Sequence, residues 1–153
     1  MNVEKSIDAV TGYLQLEMPV EAIEELEEIA SAAGEDERYL ELLLAAQMMD
    51  KRWNKAVESA QQLCKLSPKR KSFFIHAAFC LHETGDTLAA KRALLAGPRT
   101  LAQDALYHYN MGCYDAILGN VGEARSHLER AFELDDSLRE TAKEDEDLVG
   151  VEL

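Results

Sequence analysis

Ala22, Ala56, Ala90 and Ala124 are each separated by one period of 34 residues. A fixed period of that length marks a supersecondary unit repeated along the chain, and it narrows the choice of folds more than any local motif does. Between the alanines, apolar residues recur at i, i+3, i+4 and i+7, the spacing of one buried helix face. Ala, Leu, Glu and Lys dominate, and β-branched alternation is absent. Breaks at "EMP", "AAGED", "MMDKRW", "LSPKR", "ETGD", "AGPRT", "LGNVG" and "LDDS" predict about eight helices of ten to fifteen residues joined by short turns. Each alanine falls early in the second helix of a pair, where a small side chain lets two helices approach closely. Placing it at position 20 divides the chain into repeats 3–36, 37–70, 71–104 and 105–138 without a gap, followed by a tail, 139–153.

A chain of 153 residues reads as a single domain, 1–153, able to bury roughly two thirds of its unfolded surface without a disulfide or a metal. Three cysteines (Cys64, Cys80, Cys113) at scattered spacings fit reduced thiols. The N-terminal stretch lacks a basic segment followed by an apolar core, and no apolar run reaches the ~20 residues of a membrane span. A soluble, cytoplasmic protein is expected. The net charge of -13 argues against nucleic acid, which needs a basic face. That charge is uneven: residues 3–36 carry ten acids and one base, whereas 37–70 carry four acids and seven bases. The plain reading of this charge is a solvated surface that keeps the protein soluble; the sharper one is that the basic stretch "KLSPKRK" meets an acidic partner or the acidic end of another copy.

In length and in the residues at fixed positions, the repeats resemble the tetratricopeptide-repeat family of bacterial type. The fourth repeat matches through Met111, Gly112, Ala124, Leu128 and Ala131, and the third through Phe74, Ala78, Leu81, Gly85, Asp86, Ala90 and Leu94. The second keeps Leu40, Leu43, Ala56, Ala60 and Pro68; the first keeps Ala9, Tyr13, Ala22 and Leu26. The resemblance implies an all-α fold, a right-handed α-solenoid of helix-turn-helix repeats with a C-terminal cap. Two departures stand out. Gly97-Pro98 replaces a helical pair, so the second helix of the third repeat should end a turn early. Asp115 occupies a position where an apolar ring is usual, and the tail is expected to supply its partner. The tail itself, with Leu148, Val149, Val151 and Leu153 after an acidic run, is expected to fold back as a cap, because a solenoid must cover its last apolar face.

What the resemblance further implies is a concave groove lined by the first helix of each pair. At the family's binding positions this chain holds Ile7, Asp8, Leu42, Ala45, Met48, Ile75, His76, Phe79, His82, Tyr109, Asn110 and Cys113. The family's carboxylate clamp needs lysine, asparagine and arginine at set places. Starting from the first repeat those places hold Ile7, Thr11, Leu42, Ser72 and His76; starting from the second they hold Glu41, Ala45, His76, Leu106 and Asn110. The clamp is therefore not expected. An apolar floor remains, suited to an amphipathic helix or an extended apolar segment. The expected function is a non-catalytic scaffold for a protein or peptide partner, with neither nucleic acid nor membrane insertion, and with self-association through the repeat ends as a further option. The alternative is an export chaperone like those of type III secretion, holding an apolar client segment; the third repeat is similar in flavour to theirs.

Catalytic signatures are missing: there is no Gly-rich phosphate loop, no HExxH, no paired-Cys motif and no nucleophile elbow. Glu21, Glu24, Glu25 and Glu28 form a solvated helix face, and Trp53 should plug the contact between neighbouring repeats. In "FFIHAAFCLHETGD", His76, Cys80 and His82 invite a metal reading. At about 100° per residue, His82 points nearly opposite to Cys80, so the three cannot converge on one ion without outside ligands. No metal and no cofactor are expected. Cys80 should be a small buried filler, and His76 and His82 should flank Phe79 on the groove side.

Overall fold

The computed structural model describes residues Asn2–Leu153, and among them the regular structure is entirely helical. The helices are α1 (Val3–Gln15), α2 (Pro19–Ala33), α3 (Glu37–Met49), α4 (Trp53–Leu66), α5 (Lys71–Glu83), α6 (Thr87–Leu95), α7 (Ala105–Ile117), α8 (Val121–Leu134) and α9 (Leu138–Lys143). Short 3₁₀ turns occupy Arg99–Gln103 and Glu146–Leu148. The first helices of the pairs start at Val3, Glu37, Lys71 and Ala105, and the second at Pro19, Trp53, Thr87 and Val121. Both series advance by the period of the alanines.

Local chemistry explains these starts. Asn2, Asp36, Asp86 and Asp104 each accept a hydrogen bond from a backbone N–H of the first turn that follows, satisfying a donor the helix cannot pair internally. Pro19 opens α2 at the position where its missing N–H costs nothing. The turns inside the pairs share one backbone form. Glu17, Lys51, Gly85 and Gly119 all have positive φ, at 56°, 57°, 95° and 86°. They occupy the same place in successive repeats, so the left-handed residue that ends each first helix recurs with the period, whatever side chain it carries.

The chain divides into two compact units at Pro68/Lys69. In the first, α1 packs on α2, α3 on α4, and α2 on α3. Val10, Ala22, Leu26, Ile29, Ala56, Ala60 and Leu63 are fully buried there, each large side chain contributing on the order of 1.5–3 kcal/mol. The Tyr39 hydroxyl donates to the Leu26 carbonyl, and Ser59 donates to Gln47 in a buried pair 2.7 Å apart. Trp53, the first residue of α4, is half-buried.

In the second unit one apolar core joins α5 to α8 with the tail: Ala90, Leu94, Leu101, Tyr114, Leu128, Ala142 and Leu148 all belong to it. Gly112 is needed where α7 meets α8, since a Cβ there would lie 2.7 Å from Leu128 Cγ and 3.2 Å from the Ala124 carbonyl oxygen. As expected from Gly97-Pro98, α6 stops at Leu95, after nine residues. Leu101, from the 3₁₀ turn beyond, fills the space a side chain on Gly97 would take.

Asp115 finds its partner elsewhere than expected. It is 1% exposed, and its Oδ1 accepts from Lys91 Nζ of α6 at 2.6 Å and from Asn120 Nδ2 at 3.1 Å. The tail is not involved, because Lys91 lies on the facing helix and its long stem can carry an ammonium inward while staying partly solvated.

The tail does fold back as a cap. The turn Glu146–Leu148 packs on α7, Ala142 and Leu148 are buried and Val151 is half-buried. Val149 and Leu153 point outward, at 85% and 64% exposure. Among the described residues no helix is long and apolar enough to cross a membrane.

Candidate partner-binding groove

The groove positions fall on α1, α3, α5 and α7, the first helices of the pairs. In the first unit, α1 buries Ile7 and exposes Asp8, while α3 leaves Leu42 and Met48 half-buried and Ala45 exposed. In the second unit the positions separate into an open end and a covered end.

At the open end, Ile75 and His76 of α5 line a cleft of about 430 Å³ together with Lys69, Arg70, Lys71, Ser72, Asp104 and Leu106. Ile75 forms a buried floor, whereas His76 is exposed and Leu106 is 50% exposed. Lys71 Nζ lies 3.7 Å from Asp104, and the Arg70 guanidinium sits 4.2 Å above the Phe73 ring. This cleft coincides with the basic stretch noted in the sequence. Phe79, one helical turn on from Ile75, is 37% exposed.

At the covered end the tail lies over Tyr109 and Cys113. The Tyr109 hydroxyl donates to Asp145 Oδ2 at 2.6 Å, and the Cys113 thiol donates to the same oxygen at 3.7 Å. His82 reaches the tail from α5: its Nε2 is 3.2 Å from Asp147 Oδ2, while its Nδ1 is 3.0 Å from the buried Thr87 hydroxyl. Burial first, and the hydrogen bond to Asp145 next, hold the Tyr109 phenol protonated well above its ordinary range. Burial, then the charges of Asp145 and Asp147, do the same for the Cys113 thiol. Neither group is poised as a nucleophile or base at neutral pH. Asn110 is half-buried on the same helix.

Cys80 is the buried filler expected, with burial pushing its thiol up to about 11. His76, Cys80 and His82 do not converge: the first is exposed, the second sealed in the core, and the third turned to the tail. Sequence reasoning missed Asp145, Asp147 and Thr87 as neighbours of the groove. The tail's fold-back was legible from its apolar residues, but the acidic run offers six carboxylates between Glu140 and Glu152, with nothing to say which would face inward. Also unforeseen was the pair His108–His127, with Nδ1 atoms 3.1 Å apart.

Four helix pairs stepping by a constant period, with a small residue at each close contact, define a tetratricopeptide-repeat solenoid. Solved structures of MamA, itself a tetratricopeptide-repeat protein, share this fold. MamA MSR-1 superposes with a TM-score of 0.80 at 17% identity, over 90% of this chain and 79% of that one. MamA 41-end from Desulfovibrio magneticus RS-1 gives 0.80 at 19% identity, over 91% and 78%. At such identities the likeness is one of fold. No family model and no curated protein matches the sequence.

Proposed function

We propose that this chain is a non-catalytic interaction scaffold, taking a peptide or helix of a partner protein against its first helices. The observation that carries this reading is the seat of its own tail. An acidic segment with one buried leucine lies on α7, held by Tyr109, Cys113 and His82, all at positions the repeat family uses for ligands. Helix faces that hold one extended segment have the polar tips and apolar floor to hold another. The open end, with Ile75, Phe79 and Leu106 beside Lys69 and Lys71, offers a second segment an apolar floor and a basic rim. An acidic, leucine-bearing segment fits that combination.

The test compares the wild-type chain with Leu42→Glu/Phe79→Glu in affinity capture followed by mass spectrometry, with circular dichroism to confirm that the variant is folded. Partners held by the wild type should be lost from the variant. Retention of every partner by a folded double variant would rule the groove out.

A further inference from the structure

We infer that the tail is an internal ligand: residues 145–151 hold the covered end of the groove in place of a partner segment of the pattern Asp-x-Asp-Leu-x-x-Val, which displaces them when it binds. This rests on the scaffold reading above, and it adds the partner's recognition pattern and the device that keeps the site shut.

The pattern is read from which tail residues face the seat. Asp145, Asp147 and Val151 are half-buried and Leu148 is 3% exposed, whereas Glu144, Glu146, Val149 and Gly150 are exposed. Each inward residue has a defined neighbour. Asp145 Oδ2 accepts from the Tyr109 hydroxyl of α7 at 2.6 Å. Asp147 Oδ2 lies 3.2 Å from His82 Nε2 of α5, and the Thr87 hydroxyl, 3.0 Å from Nδ1, holds that ring in place. Leu148 joins the apolar core of α5 to α8, and Val151 packs against it. A segment with other side chains at the outward positions would keep all of these contacts.

The way the tail is attached makes it exchangeable. The contacts above hold it through side chains, while its backbone hydrogen bonds run within the tail or to α9: Asp145 N to the Ala142 carbonyl, Leu148 N to the Asp145 carbonyl, Val151 N to the Leu148 carbonyl. Lifting it away therefore breaks none of these, and no backbone ladder of α5 or α7. An empty seat would put the Leu148 site and the Tyr109 hydroxyl in water, so a segment with matching groups takes the tail's place rather than leaving the seat bare. A tethered segment competes at an effective concentration on the order of millimolar, and a free one binds in proportion to the fraction of open seats. A partner prevails by reaching further, over the half-exposed Leu106 towards Lys69 and Lys71, which line the open cleft beside Ile75.

The experiment adds a fluorescein-labelled peptide of residues 144–153 to the full chain and follows its anisotropy. The wild type should bind it weakly. Asp145→Ala/Asp147→Ala in the full chain weakens the internal competitor and should bind the peptide at least about tenfold more tightly. Adding His82→Gln and Tyr109→Phe to that background should remove the gain, and a peptide carrying Leu148→Ala should bind at least about tenfold more weakly than the natural one. Circular dichroism checks that each chain is folded; should the double alanine variant not fold, Asp147→Asn alone is compared with the wild type in the same way. Equal affinity of wild type and tail variant, a gain that survives the changes at His82 and Tyr109, or no peptide binding by any chain would overturn the inference. Dimerisation of the wild type with concentration, reversed by the peptide, would also overturn it by assigning the seat to a second copy's tail. If captured partners still depend on Leu42 and Phe79 while no chain binds the peptide, the internal ligand fails and the scaffold reading stands.

Discussion

Single residues carry much of the specificity of this fold, and Gly112 shows how. A methyl group there would press on Leu128 and on the backbone of α8 at once, and neither can withdraw without disturbing the α7–α8 contact. Gly112→Ala should therefore cost about 1–3 kcal/mol, measured by chemical denaturation against the wild type. His127 gives a pH-dependent counterpart. Burial, and then the neighbouring His108, lower its pKa from the ordinary 6.5, so the folded state binds this proton less readily than the unfolded chain. The stability linked to His127 is complete above about 6.5 and declines as pH falls through the lowered value. Tm measured from pH 8 down to pH 5 should fall less steeply in His127→Gln than in the wild type. Gly112 was legible in the sequence, because it stands at a repeat position reserved for small residues. The histidine pair was not: His108 and His127 are nineteen apart on different helices, and only the packing of α7 on α8 brings them together.

At the level of elements, repeat arithmetic located every helix pair, since caps, turns and buried faces recur with one period. It failed where a contact depends on the path of a loop or on the packing of two helices rather than on the register. The 3₁₀ turn Arg99–Gln103 follows from Gly97-Pro98, but that Leu101 would replace the missing side chain depends on the path of a loop without a register. The same holds for Lys91 and Asp115, whose pairing needs the two helices in place. The tail makes a sharper prediction. With residues 144–153 removed, the Cys113 thiol loses its cover and the carboxylate it donates to. Alkylation mapped by mass spectrometry should find Cys113 protected in the full chain and modified in the truncated one, with Cys80 protected in both. Equal protection of Cys113 in the two would mean the tail does not cover it.

For the whole molecule, the division at Pro68/Lys69 falls in the basic stretch between α4 and α5, where Lys69 and Arg70 are exposed. Limited digestion with trypsin should cut there first and leave two fragments that resist further cleavage; early cuts inside α4, at Lys55, or inside α8, at Arg125 or Arg130, would contradict two separately compact units. The candidate groove was only half legible at this scale. Which residues occupy the family's binding positions could be read from the register, but which of them the chain itself would cover could not, because that depends on where the tail comes to rest. The four turns, finally, carry a stereochemical consequence. Glu17 and Lys51 hold a backbone conformation that disfavours L-residues by roughly 1–2 kcal/mol and suits their mirror images. A chain assembled by chemical ligation with D-lysine at position 51 should fold more stably than the natural one. The same inversion at Asp50, whose φ is -87°, should weaken it, so a single stereocentre would report the handedness of the turn.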